Sequence, residues 1–116
     1  MTNKAVGNKG EDLAKKFLLS RGFSILMSNY RKGIGEIDII ARKDDTVHFV
    51  EVKYRRNDIF GSGRESVTTT KQRTIQKLAT SFLIERKLYY EVDISFDVIE
   101  INGGIETTIE HLEACF

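Results

Sequence analysis

Two neighbouring apolar stretches decide the fold: residues 35–42 read GEIDIIAR, and residues 46–54 read TVHFVEVKY. Both stretches are rich in β-branched residues, and the polar Lys43-Asp44-Asp45 between them has the composition of a turn. We therefore predict a β-hairpin whose turn centres on Asp44 and Asp45.

The register of this hairpin follows from matching the apolar faces of its strands. The predicted pairs are Lys43–Thr46, Ile39–Val50, Ile37–Val52, Asp38–Glu51 and Glu36–Lys53. Side chains alternate across a strand, so Ile37 and Ile39 are expected on one face and Asp38 on the other. A slip of one residue would send every apolar side chain to the wrong face, which disfavours other registers.

This register places two acids, Asp38 and Glu51, directly opposite each other. Their carboxylates are then expected roughly 5 Å apart. At an effective dielectric constant near 20, the repulsion is on the order of 3 kcal/mol. Ile40 and Phe49 share this face and give the pair apolar surroundings. A fold gains nothing from the arrangement unless a proton or a cation neutralises it, so we predict a divalent metal site.

The same residues resemble a known active site. Asp38 followed by a hairpin and Glu51-Val52-Lys53 resembles the active site of PD-(D/E)xK nucleases. The wider strings at residues 33–42 and 49–56, with the later Phe60-Gly61 and Lys71-Gln72-Arg73, resemble the YraN family. That bacterial family of small proteins is similar to archaeal Holliday-junction resolvases.

The resemblance runs from about residue 7 to the C-terminus and is densest over residues 33–73. It implies an α/β, restriction-endonuclease-like three-layer fold, with a central mixed sheet flanked by helices. The chain departs from the family pattern in the loop at residues 60–67, which has glycine where proline is usual. Ile37 also stands where the wider nuclease class often has proline before Asp38.

The resemblance assigns roles to the three central residues. Asp38 and Glu51 supply hard oxygen ligands suited to Mg²⁺ or Mn²⁺. Lys53, on the same face as Glu51, stabilises the attacking hydroxide or the charge that develops on phosphorus. The alternative is a surface ladder of ion pairs. Such a ladder would place opposite charges opposite each other, whereas Asp38 is predicted to face Glu51.

Three further polar residues have two interpretations each. Glu36 either pairs with Lys53 or supports the metal site as a second-layer group or a further ligand. Glu11 is either a charge near the start of the first helix, favourable with its dipole, or a further acid that reaches the metal, as in resolvase-type nucleases. Gln72 either positions the water or substrate in catalysis or is simply a polar residue at a helix start.

The formal net charge of +1 conceals an asymmetry. Basic residues cluster between Lys53 and Lys77, whereas the segment from Leu88 onward contains acids and no Lys or Arg. A basic cluster directly after the Glu-x-Lys strand would attract a phosphate backbone. The predicted nucleic-acid-binding residues are Arg55, Arg56, Arg64, Lys71 and Arg73.

Hydrophobic periodicity predicts the element order αβββαββ. The first helix spans about residues 4–21 and stops at Gly22, and a strand at residues 24–30 precedes the hairpin. A second helix starts near Thr69-Thr70 and buries Ile75, Leu78, Ala79, Phe82 and Leu83. A strand at residues 90–100, a turn at residues 102–104 and a strand at residues 105–111 complete the chain.

Composition is that of one small cytoplasmic domain covering residues 1–116, with 30% charged and 41% hydrophobic residues. No signal peptide and no membrane partner are expected. The single cysteine, Cys115, cannot form an intrachain disulfide, and no closely spaced Cys/His set predicts a zinc site. His48 is read as a structural residue of the apolar face, and His111 is given no role.

Together these features predict a metal-dependent endonuclease that acts on structured or single-stranded DNA. Two other classes stay open: a noncatalytic nucleic-acid-binding module with the same fold, and a protein-interaction subunit that assembles through its acidic C-terminal strands. Resolvase-like proteins commonly act as homodimers on two-fold symmetric junctions, so the resemblance also implies a homodimer.

Overall fold

The computed structural model describes residues 3–55 and 67–116, with side chains from residue 9 onward. The elements are α1 (Asn3–Ser20), β1 (Ser24–Lys32), β2 (Gly35–Lys43), β3 (Thr46–Arg55), α2 (Thr69–Glu85), β4 (Asp93–Gly103) and β5 (Thr107–Leu112). The order αβββαββ is the predicted one. β4 begins later than predicted and runs through Gly103, which pairs with Thr107, so the turn before β5 comes after the glycine expected to form it.

The strands form one mixed sheet in the order β1-β2-β3-β4-β5. β3 and β4 are parallel, and every other neighbouring pair is antiparallel. The parallel pair needs a crossover connection, which contains α2. Consecutive hairpins build the rest of the sheet.

Each face of the sheet packs its apolar side chains against one helix. The α1 face contains Ala14, Leu18, Phe23, Ile39, Ala41, Val50, Ile99 and Ile101. The α2 face contains Ile40, Val47, Phe49, Ile75, Leu78, Phe82 and Val98, among others. The result is the three-layer α/β arrangement predicted as restriction-endonuclease-like.

Local sequence explains where both helices begin and end. Gly22 adopts φ +89°, a left-handed conformation that costs glycine little, and the Phe23 amide donates to the Leu18 carbonyl at 3.0 Å. At the start of α2, the Thr68 hydroxyl accepts from the Lys71 amide at 3.2 Å. The five residues predicted to form the apolar stripe of α2 are the five that it buries.

The hairpin of β2 and β3 confirms the predicted turn. Lys43 pairs with Thr46, and Asp44 takes a left-handed φ of 54° between them. The predicted register holds up to the pair Ile39–Val50. In the described part of the chain, neither helix is long and apolar enough to cross a membrane.

Candidate active site

The antiparallel ladder between β2 and β3 ends at Ile39–Val50, one residue before the predicted pair Asp38–Glu51. Had the ladder continued, the Val52 amide would donate to the Ile37 carbonyl. Instead it donates to the Asp38 Oδ2 at 2.8 Å. The side chain of Asp38 thus replaces a backbone acceptor at the point where the two strands separate.

This break changes which face of the sheet Ile37 occupies. The prediction that Ile37 and Ile39 share a face is wrong: Ile37 packs in the α2-side cluster and Ile39 in the α1-side cluster. The alternation of side chains is interrupted at Asp38, where the carboxylate bonds to the neighbouring strand. Asp38, which lies where the ladder between β2 and β3 ends, is therefore also the central candidate for chemistry.

Three carboxylates converge at this break. One oxygen each from Glu11, Glu36 and Asp38 lies within 4.8 Å of the other two. With its amide nitrogen turned towards the acids, Asn29 donates to Glu36 Oε1 at 2.6 Å and to Glu11 Oε1 at 2.9 Å. We call Glu11, Glu36 and Asp38 the acidic cluster. Nothing in the sequence pattern singled out Asn29. Its backbone takes a left-handed φ of 53°.

Glu36 does not have the ion pair that the hairpin register predicted. Its Oε2 lies 2.8 Å from the Nε of Arg31, the residue opposite it on β1, rather than beside Lys53. The ladder to β3 has ended before Glu36, so no register places it against Lys53. Of the interpretations considered for Glu36, its position in the acidic cluster is the one that the geometry favours.

Glu51 is buried but lies outside the acidic cluster. Its Oε1 forms an ion pair with the Lys71 ammonium from the first turn of α2. Its Oε2 is buried and finds no hydrogen-bond partner among the described residues. Lys71, predicted only as a nucleic-acid contact, therefore reaches the carboxylate itself.

Electrostatics at Asp38 disfavour the ionised form. Burial raises the pKa of its carboxyl to about 7, and the nearby negative charges of Glu51 and Glu11 act in the same direction. The hydrogen bond from Val52 and the charge of Lys71 lower the pKa, but less strongly. Glu11 shares this environment, because burial also raises the pKa of its carboxyl.

Lys53 lies near two acids and another cation. Burial lowers the pKa of its ammonium, and the charge of Lys71 lowers it further, against the opposite effect of Glu51 and Asp38. Lys71 differs: although burial alone would lower its pKa, the hydrogen bond and charge of Glu51 raise it. The pKa of Lys53 is thus lowered, whereas that of Lys71 is raised.

The remaining predicted residues have other surroundings. The Gln72 side chain donates to the Val67 carbonyl at 3.0 Å and ties the start of α2 to the preceding segment, which matches its structural interpretation. Arg55 lies 3.8 Å from Glu100 on β4, and Arg73 is exposed on α2. Arg56 and Arg64, together with the Phe60-Gly61 motif, lie outside the described residues.

Comparison with known proteins places the chain in a family. Residues 10–101 match the family described as "Uncharacterised protein family UPF0102". The chain is 50% identical over 106 residues to a UPF0102 protein of Clostridium perfringens, with 91% of this chain and 86% of the relative covered. It is 48% identical over 101 residues to one from Dictyoglomus turgidum, covering 87% and 85%. The chain belongs to the UPF0102 (YraN) family.

A UPF0102 protein of Natranaerobius thermophilus is 42% identical over 119 residues and covers the whole of both chains. The span matched to the UPF0102 family contains the acidic cluster, Glu51, Lys53 and Lys71, and ends within β4. Family membership confirms the resemblance to the YraN family that was drawn from the sequence. It assigns no reaction, so the chemistry is argued from the side chains.

Proposed function

We propose that this protein is a metal-dependent nuclease that hydrolyses phosphodiester bonds, acting as an endonuclease on structured or single-stranded DNA. The observation that carries the proposal is the acidic cluster. Glu11, Glu36 and Asp38 come from two elements and converge within 4.8 Å at a break in the sheet. Carboxylates held this close repel one another unless a proton or a cation lies between them.

The donor set fits Mg²⁺ or Mn²⁺. All the candidate ligands are carboxylate oxygens, which these hard cations prefer to nitrogen or sulfur. The raised pKa of Asp38 indicates a carboxyl that lacks compensating positive charge. The buried Glu51 Oε2 likewise has an acceptor to spare among the described residues. Glu11, Glu36 and Asp38 would hold the ion, with Glu51 beside them.

When bound, the metal supplies a Lewis acid for the scissile phosphate and lowers the pKa of a water molecule. The chain's own residues then act around that centre. Lys53, whose pKa is lowered by burial, is suited to exchange a proton or to stabilise charge on the phosphate oxygens.

Lys71 gives this site a second cation, which would exchange the Glu51 carboxylate for a phosphate group when substrate binds. In the structure its ammonium pairs with the Oε1 of Glu51, so Glu51 can offer both of its oxygens to a metal only after Lys71 has moved. A released Lys71 lies at the positive end of α2, where it can contact the phosphate backbone. In this proposal, substrate and metal together replace the ion pair between α2 and β3.

A noncatalytic nucleic-acid-binding module is the second candidate. The observation that favours it is the Lys71–Glu51 ion pair, which neutralises one of the expected metal ligands without any metal. Such a module would bind nucleic acid through its basic side chains in a salt-sensitive manner and would not cleave it with any divalent ion. The homodimer implied by the resemblance stays a prediction, which sedimentation of the full chain tests.

Cleavage assays on matched variants separate the two functions. Branched and linear DNA are incubated with the wild type, Asp38→Asn and Glu51→Gln, in Mn²⁺ and in EDTA. Asp45→Asn is the control, since Asp45 is an exposed acid in the hairpin turn at the other end of β2. We expect Mn²⁺-dependent cleavage by the wild type and the control, and a loss of at least about 100-fold in both site variants.

Binding measured in EDTA shows whether the variants are still folded and competent to hold DNA. We expect Asp38→Asn and Glu51→Gln to bind about as tightly as the wild type, because neither removes a positive charge. Undiminished cleavage by either variant would refute the metal site. Binding without cleavage by the wild type in both Mg²⁺ and Mn²⁺ would favour the noncatalytic module.

A further inference from the structure

A second polar cluster lies on the α1 side of the sheet, on the opposite face of β3 from Glu51. Its members are His48 on β3, Asp97 on β4, His111 on β5 and Glu113 just after β5. One ligand atom from each lies within 4.8 Å of the other three. His48 and Asp97 are buried, and Glu113 is 58% exposed. His111, which was given no role from the sequence, contacts the Asp97 carboxylate in this cluster.

Asp97 is the centre of this cluster. Its Oδ2 lies 2.6 Å from the His48 Nδ1 and 2.7 Å from the His111 Nε2. Its Oδ1 accepts from the Ser95 hydroxyl at 2.5 Å and from the Ala114 amide at 3.2 Å. The second pair of bonds fixes the carboxylate so that one oxygen is presented to both imidazole rings, as supporting hydrogen bonds do around metal ligands.

Hydrogen bonds between Asp97 and the two rings do not by themselves account for Glu113. Its Oε1 lies 3.7 Å from the His48 Nδ1, beyond a hydrogen bond, and close to the carboxylate of Asp97. Two carboxylates and two imidazoles that meet in this way resemble the first coordination layer of a metal more closely than a simple clamp between strands. A divalent cation would balance both negative charges.

We propose that His48, Asp97, His111 and Glu113 form a binding site for one divalent transition-metal ion, with Zn²⁺ as its best-fitting member. Two imidazole nitrogens and two carboxylate oxygens suit Zn²⁺, whereas the all-oxygen acidic cluster suits Mg²⁺ or Mn²⁺. With four protein ligands the site has no open position. The ion would be structural and would fasten β5, the edge strand, to β4 and β3.

The ligand atoms around Asp97 must spread from their hydrogen-bonding distances to accept the ion. With bonds of 2.0–2.1 Å in a tetrahedron, neighbouring ligand atoms lie roughly 3.3 Å apart. The two ring nitrogens must therefore each move roughly 0.6 Å away from the Asp97 Oδ2. The Glu113 Oε1 lies 3.7 Å from the His48 Nδ1, near the required spacing. Among the described strands, β5 pairs only with β4, so His111 can move without breaking a second ladder.

The site is also reachable from solvent. A shallow cavity of about 280 Å³ opens beside it, lined by Phe17, Arg21, Phe23, Lys43, His111 and Glu113. Phe23 forms the inner wall, with its ring centroid 5.0 Å from that of His48 and 5.7 Å from that of His111. An ion can enter past the exposed Glu113.

Zinc binding is measured on untagged full-length protein after removal of metals with a chelator. The protein is then titrated with Zn²⁺ in a large excess of Mg²⁺. The Mg²⁺ is expected to fill the acidic cluster, so that the Zn²⁺ binds at the proposed site. We expect one Zn²⁺ per chain and a higher thermal midpoint with Zn²⁺ than without it. With Co²⁺ as a probe, the visible absorption of a four-coordinate ion is expected.

Four variants decide whether these residues hold the ion. Glu113→Gln and His111→Asn are expected to weaken Zn²⁺ binding at least about tenfold and to remove the cobalt spectrum. The controls are Glu110→Gln, which changes an exposed acid on the same strand, and Asp12→Asn, which changes an exposed acid on α1, and both are expected to bind like the wild type.

Equal zinc affinity in the wild type and in Glu113→Gln would overturn the proposal, as would the absence of any Zn²⁺-dependent change in the wild type. The four side chains would then be only a hydrogen-bonded clamp. Because Glu113 is exposed, its substitution is not expected to unfold the chain, so the test holds even if His111→Asn is unstable. The result is independent of whether the acidic cluster supports cleavage.

Discussion

At the scale of single residues, Asp38 is subject to opposing demands. The Val52 amide stabilises its ionised form, whereas burial and the charges of Glu51 and Glu11 disfavour it, with a resulting pKa of about 7. A carboxylate that must be ionised to bind a metal is therefore a source of instability while no metal is bound. Such a conflict between stability and activity is common at functional sites.

The first prediction concerns the effect of Asp38→Asn on stability. The folded-state pKa of about 7 lies above the ordinary aspartate value of 3.8, so the folded protein binds this proton more tightly than the unfolded chain does. The destabilisation grows as the pH rises from about 4 to about 7 and is complete above that range. Asn cannot ionise and keeps an acceptor for Val52. In EDTA at pH 8 the variant should be more stable by roughly 1–3 kcal/mol.

Denaturant unfolding at pH 4, 6 and 8 checks this expectation. The difference between the variant and the wild type should be small at pH 4 and largest at pH 8. Added Mg²⁺ should stabilise the wild type and not the variant. Asp12→Asn, which alters an exposed acid on α1, is the control and should leave the pH profile unchanged. A variant that is no more stable at pH 8 would contradict the argument.

At the scale of elements, the hairpin shows what local pattern can predict. Alternating apolar residues and the Asp44-Asp45 turn fixed the register as far as Ile39–Val50. They did not predict the end of the ladder at Asp38. That break depends on a carboxylate that accepts the Val52 amide, and a binary pattern of apolar and polar residues contains no information about such a bond.

The candidate site divides in the same way. Asp38, Glu51 and Lys53 stand out in the sequence because charged residues interrupt apolar strands. Asn29 does not stand out, since its bridge between Glu11 and Glu36 exists only after α1 has packed on the sheet. Tertiary packing between distant segments likewise produces the Lys71–Glu51 ion pair and the cluster of His48, Asp97, His111 and Glu113.

The second prediction concerns how α1 positions Glu11. A Cβ atom at Gly10 would lie 3.0 Å from the Tyr54 Cβ on β3, so the helix can approach this closely only because the residue has no side chain. Gly10→Val should push α1 away from β3 and move Glu11 out of the acidic cluster. We expect Mn²⁺ affinity to fall about tenfold, or about 1.4 kcal/mol.

Calorimetric titration with Mn²⁺ measures the affinity of both variant and control. Gly33→Ala is the control, since a Cβ there meets nothing within 4 Å. Valine has a higher helix propensity than glycine, so a loss cannot be attributed to an intrinsically weaker helix. Unchanged Mn²⁺ affinity in Gly10→Val would mean that Glu11 takes no part in the site.

At the scale of the whole molecule, the charge asymmetry is smaller than the sequence suggests. Two of the acids after Leu88 are engaged internally. Asp97 is buried, and although burial alone would raise its pKa, hydrogen bonds from His111, His48 and Ser95 hold that pKa well below its usual range. Glu100 lies beside Arg55. The basic residues at the start of α2 therefore remain the part of the surface best suited to bind a polyanion.

The third prediction tests this basic region by salt dependence. Arg73 is exposed in the first turns of α2, and Lys87 is exposed just beyond the other end of the same helix. If DNA follows the end of α2 near Lys71, Arg73→Gln should weaken binding and reduce the slope of log K against log salt by about one. Lys87→Gln removes the same charge and should change neither quantity.

Binding is measured in EDTA, where cleavage does not interfere, at several salt concentrations. Identical slopes for the two variants would place the DNA elsewhere on the surface, and a salt-independent affinity in the wild type would exclude a phosphate-dominated interface.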